Sequence, residues 1–80
     1  MPYINKAKRT HLFNTMQPED PGELNYMLTM ICKDYVERYG ECYRTYNDIL
    51  GALEGCKMEL YRRKVIPYEN KKIKQNGDVF

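Results

Sequence analysis

The sequence has no tryptophan, one histidine and only three cysteines, and each scarcity narrows the possible functions. With His11 alone there is little basis for a histidine-based catalytic triad or a zinc site. Cys32, Cys42 and Cys56 are odd in number and form no C-x-x-C pair, and the opening MPYINKAKR lacks the apolar run of a signal peptide. We therefore expect free thiols in an intracellular protein rather than a disulfide framework.

Sequence motifs of enzymes and of membrane spans are missing as well. The chain has no P-loop and no G-x-G-x-x-G pattern. Glu54 and Glu59 lie five residues apart, about 140° around a helix axis, and so make a poor acid–base pair. No apolar run approaches the ~20 residues that a membrane-spanning helix requires. We predict a protein that is not an enzyme, with no cofactor, no metal and no membrane contact.

Size and charge point to an assembly with an anionic partner. Eighty residues predict one domain, 1–80, and a chain this short buries only about 60% of its unfolded surface, which favours a homo-oligomer such as a dimer or tetramer. Residues 1–56 hold six Lys/Arg and eight Asp/Glu, whereas residues 57–80 hold seven and three. This asymmetry is typical of proteins that bind nucleotide or nucleic acid, but a solvated basic tail has the same composition.

The clearest structural signal is a helix over residues 21–39. Asp20 suits the N-cap, Pro21 the first helical position and Glu23 the third, which together form a capping box. Gly40 is a natural terminator. Between them the apolar residues follow three-four spacing, at Leu24, Met27, Leu28, Ile31, Tyr35 and Val36.

A second helix is predicted over residues 45–65, with Thr45 and Asp48 as a weaker capping box. Its apolar positions share one face, and beside them runs a small-residue strip made of Gly51, Ala52, Gly55 and Cys56. Glycine inside a helix costs about 1 kcal/mol relative to alanine, so close approach of another helix is the simplest reason for the strip. The short link at residues 41–44 predicts an antiparallel hairpin of the two helices.

The ends of the chain carry weaker signals. Residues 1–18 show no sustained periodicity and predict an N-terminal arm, in which Leu12 and Phe13 pack down on the helices and residues 14–18 form a loop. Pro67 disfavours helix at the preceding residue, so it either begins a short third helix or kinks one long helix. Residues 76–80 form a tail. No strand signal is present, and the expected fold is all-α, a helical hairpin plus a short C-terminal helix, in an oligomer.

The densest group of cations and aromatics lies at the end of the second helix. It consists of Tyr61, Arg62, Arg63, Lys64, Tyr68, Lys71 and Lys72. Arginine holds phosphate oxygens in a bidentate grip, and a tyrosine ring stacks on a base. Cations at a helix C-terminus also offset the macrodipole without any ligand, so both interpretations stay open. Arg62 and Arg63 cannot both face one side of a helix.

Two smaller groups complete the candidates. Asn25 and Tyr26 form a polar pair in the first helix, where asparagine is a poor choice unless its amide binds something. Simple exposure explains the pair equally well. Glu54 lies among small residues, and in a tight interface its carboxylate needs a cation, which Lys57 or Arg62 of a neighbouring chain supplies.

At these residues the sequence resembles a widespread family of small proteins from tailed bacteriophages and their hosts. The shared stretches are PYI (2–4), PGELNY (21–26), GALEGCKMELYRR (51–63), PYENKKI (67–73) and NGDVF (76–80), which together span nearly the whole chain. The resemblance implies a viral immune-evasion protein of the anti-CBASS sponge type. Such a protein is a small oligomer that sequesters cyclic dinucleotides, such as 3′,3′-cGAMP, in the cytoplasm of the infected bacterium. It implies no residue-level binding pattern.

The chemistry of the candidates then gives each an expected role. Arg62 or Arg63 grips phosphate, Lys72 adds longer-range attraction, and Tyr26, Tyr61 or Tyr68 stacks on a base. Asn25 reads a base edge by hydrogen bonds. Two other functions fit the same sequence: a helical adaptor or structural protein that binds another protein, and a nucleic-acid-binding factor.

Overall fold

The computed structural model describes residues 1–80, and all of its regular secondary structure is helical. The elements are α1 (Lys6–Thr15), α2 (Pro21–Tyr39), α3 (Tyr43–Leu60), a π-helical turn (Tyr61–Val65) and α4 (Ile66–Asn76). The expected all-α class is confirmed. The chain divides into two compact units, Met1–Tyr46 and Asn47–Phe80. No helix combines the length and the apolar composition needed to cross a membrane.

Helix α2 has the bounds that the sequence predicts. The Asp20 side chain accepts a hydrogen bond from the Glu23 backbone N–H at 2.8 Å. The Glu23 carboxylate accepts in turn from the Glu19 N–H at 3.4 Å, one residue before the position expected in a capping box. At the other end Gly40 has φ = 90°, a conformation that glycine adopts without strain, and its N–H bonds the Val36 carbonyl.

Residues 6–15 form a helix where the sequence predicted an irregular arm and, from residue 14, a loop. The Asn5 side chain caps α1 by accepting from the Lys8 N–H at 2.9 Å. Leu12 is 1% exposed and packs α1 against α2, as expected, but Phe13 is 84% exposed, so its predicted packing is wrong. One buried leucine per three turns produces no apolar periodicity, which is why the helix is hard to see in the sequence.

Polar contacts reinforce the docking of α1 on α2. Lys8 Nζ lies 3.8 Å from Asp20 Oδ2 and 4.0 Å from Glu23 Oε2, and the Glu23 side chain is almost fully buried. The Arg9 guanidinium lies over the ring of Tyr26, 5.4 Å from its centroid, and Arg9 Nε donates to the Ile4 carbonyl at 2.9 Å. A buried carboxylate is tolerated because it has both a cation and a backbone donor beside it.

We expect acid to weaken this unit through Asp20. The Glu23 N–H holds the pKa of the Asp20 carboxyl below its ordinary value of 3.8, with Lys8 adding to the effect and partial burial opposing it. A carboxyl whose pKa is lowered by folding contributes stability above its unfolded pKa and loses it as pH falls through the folded pKa. Thermal melts between pH 5 and pH 2 should therefore show a loss that begins near pH 3.8.

The matched control is Asp20→Asn, which keeps a good N-cap but does not titrate. Its acid-dependent loss should be smaller than that of the natural chain, because the remaining carboxylates are unchanged. Equal losses in the two proteins would show that Asp20 does not carry this pH dependence.

Helix α3 begins at Tyr43, two residues before the predicted start. The first helical hydrogen bond runs from the Tyr46 N–H to the Cys42 carbonyl at 3.1 Å. Thr45 is therefore inside the first turn and is not its cap. Its buried hydroxyl donates to the Tyr39 carbonyl at 3.5 Å and lies 3.4 Å from Cys42 Sγ. Hydrogen bonds from the Thr45 hydroxyl and backbone N–H lower the pKa of the Cys42 thiol.

The second unit is one helical run followed by a short tail. The π turn Tyr61–Val65 joins α3 to α4 with no non-helical residue between them, and the Ile66 N–H bonds the Tyr61 carbonyl five residues back. Pro67 cannot donate a hydrogen bond to the preceding turn, and a π turn accommodates that defect without ending the helix. The run ends at Asn76, one residue into the predicted tail 76–80, and Gly77 follows it with φ = 93°, a conformation that favours glycine.

Candidate ligand-binding site

The predicted cation–aromatic cluster lies on the exposed surface of the π turn and α4. Tyr61, Arg62, Arg63 and Lys64 belong to the π turn, and Tyr68, Lys71 and Lys72 belong to α4. All of these side chains are exposed. The structure therefore places five of the seven predicted site residues along a single helical run, where backbone geometry fixes their spacing.

The two arginine side chains of the π turn differ in the contacts that they make. Arg62 grips Glu59 through two hydrogen bonds, from Nε at 3.2 Å and from Nη2 at 3.1 Å. Arg63 makes no hydrogen bond or ion pair within the chain. A guanidinium that already holds a carboxylate must release it before it can grip a phosphate, whereas Arg63 has all its donors available. The sequence left the choice between the two open, and the structure favours Arg63.

Tyr61 is tied to Glu69 across the π turn. Its hydroxyl donates to Glu69 Oε1 at 3.0 Å, and this bond and the negative charge of Glu69 raise the pKa of the phenol. In a regular α-helix the side chains of residues i and i+8 point in directions about 80° apart, so they do not share a face. The π turn accommodates about one extra residue, so that residues eight apart span two turns and share a face. The bond thus braces the turn that carries Arg62 and Arg63.

Tyr68 is exposed and already has a cation beside its ring. Lys72 Nζ lies 5.6 Å from the ring centroid. This is the distance of a cation–π contact, which at an exposed site contributes about 0.5–1 kcal/mol. A stacking base would therefore displace an exposed lysine from the ring face at little cost. Such a lysine stays close enough to attract a phosphate.

Asn25 and Tyr26 belong to the other unit, Met1–Tyr46. Asn25 is exposed, and its side-chain oxygen accepts from the Thr29 hydroxyl at 3.2 Å. Tyr26 is half-buried, with Arg9 over its ring. Sequence reasoning missed Arg9, because the arm was predicted to be irregular and its cations had no assigned neighbour. It also missed Glu59 and Glu69, although their i−3 and i+8 spacing to Arg62 and Tyr61 is visible in the sequence.

Beyond the cluster, α4 and the tail border an open groove of about 310 Å³, lined by Glu69, Lys72, Ile73, Asn76, Gly77, Asp78, Val79 and Phe80. The Phe80 N–H donates to Asp78 Oδ1 at 2.9 Å and so turns the tail at this point. Lys72 borders both the groove and the Tyr68 ring. No three His, Cys, Asp or Glu side chains lie together as metal ligands do.

The small-residue strip is open in this chain. A Cβ built on Gly51 or Gly55 would meet nothing within 4 Å. Glu54 is the other candidate in this region. Its Oε1 lies 3.6 Å from Lys57 Nζ, one turn along α3. Within one chain Glu54 thus has a cation one turn away, in an exposed pair that is weak by itself, and the contact expected with a neighbouring chain stays a prediction.

Comparison with known proteins places the chain in a family. A family model, DUF6899, matches residues 1–79 and describes a domain of unknown function. The chain belongs to the DUF6899 family. No curated protein and no solved structure matches it. The family covers the π turn, the cation–aromatic cluster and both units, and its description assigns no role to any of them.

Proposed function

We propose that this DUF6899 protein is a non-catalytic helical oligomer that binds and sequesters a cyclic dinucleotide, such as 3′,3′-cGAMP. The observation that carries the proposal is the exposed cluster around Arg63 and Tyr68. It joins an arginine with all its donors free, two further cations at residues 64 and 72, and an accessible aromatic ring on one helix. Phosphate, negative charge and a flat base are the three features that such a cluster recognises.

Each residue has a role in this proposal. Arg63 grips a phosphate and Lys72 adds charge, while Tyr68 stacks on a base in place of the lysine. Tyr61 and Arg62 hold the turn in shape through Glu69 and Glu59. Asn25 and Tyr26 belong to the other unit, where by themselves they offer a base-edge donor, the Asn25 amide nitrogen, and an aromatic ring.

Sequestration needs affinity and slow release rather than turnover, so the proposal requires no acid–base pair. In an infected bacterium such a protein would lower the free concentration of the immune signal in the cytoplasm and silence CBASS defence. The likeness of the sequence to phage and host proteins supports this setting. The two-fold character of a cyclic dinucleotide suits a site where equivalent residues of two copies meet.

Assembly is part of the same proposal. The predicted hairpin of α2 and α3 and the predicted homo-oligomer, a dimer or tetramer, would cover apolar side chains that the second unit leaves exposed. That unit consists of one helical run and a tail, so it has no second element of its own to pack against. An isolated helix is marginally stable in water, and its apolar face needs a partner.

The same exposed apolar residues favour a second candidate function, an adaptor that binds another protein. A thermal-shift panel separates the candidates. We expect cyclic dinucleotides to raise the melting temperature by several degrees, since ligand at 100 times its Kd stabilises by about 2.7 kcal/mol. Duplex DNA should give no shift. A salt-dependent gel shift with DNA or RNA would instead indicate a nucleic-acid-binding factor, and an adaptor would respond to neither ligand.

The ligand should also survive binding. Nucleotide recovered after heating the complex should be intact when analysed by chromatography. A hydrolysed product would overturn the non-catalytic half of the proposal while leaving the binding half in place.

A further inference from the structure

The groove between α4 and the tail has the size and the lining of a small-molecule site. Its volume of about 310 Å³ lies at the lower end of the range for such pockets. The apolar side chains of Ile73, Val79 and Phe80 line it, together with the carboxylates of Glu69 and Asp78. All of these residues belong to the second unit, so the shape of the groove does not depend on the first unit. A largely apolar lining with a few polar groups gives a flat ligand both a contact surface and hydrogen-bond partners.

The two carboxylates of the groove have oxygens available to a ligand. Glu69 Oε1 accepts a hydrogen bond from the Tyr61 hydroxyl at 3.0 Å, and Asp78 Oδ1 accepts one from the Phe80 N–H at 2.9 Å. The second oxygen of each carboxylate has no hydrogen bond, and neither carboxylate forms an ion pair within the chain. An ionised carboxylate accepts hydrogen bonds and donates none. Since Glu69 also braces the π turn, Asp78 is the better placed acceptor for a ligand.

The end of α4 adds acceptors and negative potential to the groove. The groove includes Asn76 and Gly77, where the helix ends. The last backbone carbonyls of a helix have no donor within it, and they form the negative end of the helix dipole. Negative potential repels a phosphate and attracts N–H groups. The part of a nucleotide that suits this groove is therefore a donor-bearing base and not a phosphate.

Lys72 marks the border between the groove and the cation–aromatic cluster. It is the one cation among the residues of the groove, and its Nζ lies over the Tyr68 ring, 5.6 Å from the centroid, with no ion pair to a carboxylate. A phosphate beside Lys72 would carry one nucleoside toward Tyr68 and the other toward the groove. The two sides differ, because Tyr68 stacks on any base whereas the groove presents acceptors to a base edge.

These acceptors distinguish the two purines. Guanine has two adjacent donors on its Watson–Crick edge, N1–H and the 2-amino group, and one carboxylate can accept from both. Adenine has its 6-amino donor beside N1, which is an acceptor and is repelled by a carboxylate oxygen. A bidentate contact of this kind discriminates against the wrong base by about 10-fold or more.

We infer that the groove binds a guanine base of the cyclic dinucleotide, with the Asp78 carboxylate accepting from N1–H and the 2-amino group. Ile73 and Phe80 contact the faces of this base. The other base stacks on Tyr68, and the phosphate between the two nucleosides lies beside Lys72. The inference rests on the proposed function and adds to it the identity of one base.

Titration calorimetry with 3′,3′-linked cyclic di-GMP, cGAMP and cyclic di-AMP tests the base preference. We expect the two ligands that contain guanine to bind at least ~10-fold more tightly than cyclic di-AMP. The Asp78→Asn protein replaces one acceptor oxygen with a donor at nearly constant size, and an asparagine amide matches a donor and an acceptor of adenine. In this protein the preference for guanine should therefore fall about 10-fold or reverse.

Asp34→Asn is the matched control. It makes the same substitution in the exposed ion pair of Asp34 with Arg38 on α2, where the two side chains are 3.0 Å apart, and it should leave the base preference unchanged. If the natural chain binds all three ligands equally, or if Asp78→Asn has no effect on the preference, the inference is wrong while the proposed function stands.

Mononucleotides test the groove without the rest of the site. In an NMR titration, millimolar GMP should shift the backbone amide signals of residues 76–80 more than AMP does. IMP lacks the 2-amino group of GMP and should also shift them less. If no cyclic dinucleotide binds but this order is observed, the proposed function fails and the groove still reads guanine in another nucleotide. Equal shifts with the three nucleotides, or none, would overturn the inference.

Discussion

We expect the Arg63→Ala protein to bind a cyclic dinucleotide about 100-fold more weakly than the natural chain, since loss of a charged hydrogen-bonded contact costs a few kcal/mol. The Arg62→Ala change should weaken binding far less. Arg62 holds Glu59 at 3.1–3.2 Å, whereas Arg63 makes no hydrogen bond or ion pair within the chain. Titration calorimetry with a panel of 3′,3′- and 2′,3′-linked cyclic dinucleotides measures both effects.

Two further variants sharpen the comparison. Arg63→Lys keeps the charge but loses the bidentate geometry, so its affinity should lie between those of the natural chain and Arg63→Ala. Glu59→Gln removes the carboxylate that holds Arg62 and should leave binding unchanged or improve it. If both arginine-to-alanine proteins bind as the natural chain does, or if none of the panel binds below about ten micromolar, the site lies elsewhere or the ligand is of another class.

Local signals predicted the part of the fold that local interactions determine. Helix α2 begins and ends where Asp20, Pro21 and Gly40 predict, because caps act through hydrogen bonds to residues three or four away. The stop at Gly77 follows for the same reason. Thr45 was wrongly predicted to cap α3. Its hydroxyl donates to the Tyr39 carbonyl instead, and the sequence around a threonine is compatible with either hydrogen bond.

Features that depend on packing or on a backbone defect were not predictable in the same way. Helix α1 is held by Leu12 and by ion pairs to α2, and neither produces periodicity in its own sequence. The π turn follows from Pro67, but the sequence equally allowed a break or a kink at that position. The pairing of Tyr61 with Glu69 follows from this π turn. It could have been predicted only by knowing that one extra residue fits into the helix there.

The residues of the candidate site could be predicted from the sequence, but the contacts of each side chain could not. Counting cations and tyrosines located the cluster at residues 61–72. Which arginine is free depends on Glu59 one turn earlier, and whether a tyrosine face is open depends on Lys72. Each of these exposed side chains can pair with several neighbours, and the alternative pairs differ in free energy by only ~1 kcal/mol or less. The sequence therefore does not show which pair forms.

Replacing Leu12 with alanine should remove most of the docking of α1 on α2. Leu12 is the one hydrophobic side chain of the protein that is fully buried. Truncating a buried leucine costs about 2–5 kcal/mol, and a small domain has few other contacts to compensate. We expect a lower melting temperature, and faster hydrogen exchange of the α1 amides than of the α2 amides.

Phe13→Ala is the matched control for that change. Phe13 is next to Leu12 in the same helix but is 84% exposed, and its truncation should change stability by no more than ~0.5 kcal/mol. The ion pairs of Lys8 with Asp20 and Glu23 remain in both variants, so the difference between them reports Leu12 alone. Equal stability of the two variants would mean that these polar contacts, rather than Leu12, hold α1 in place.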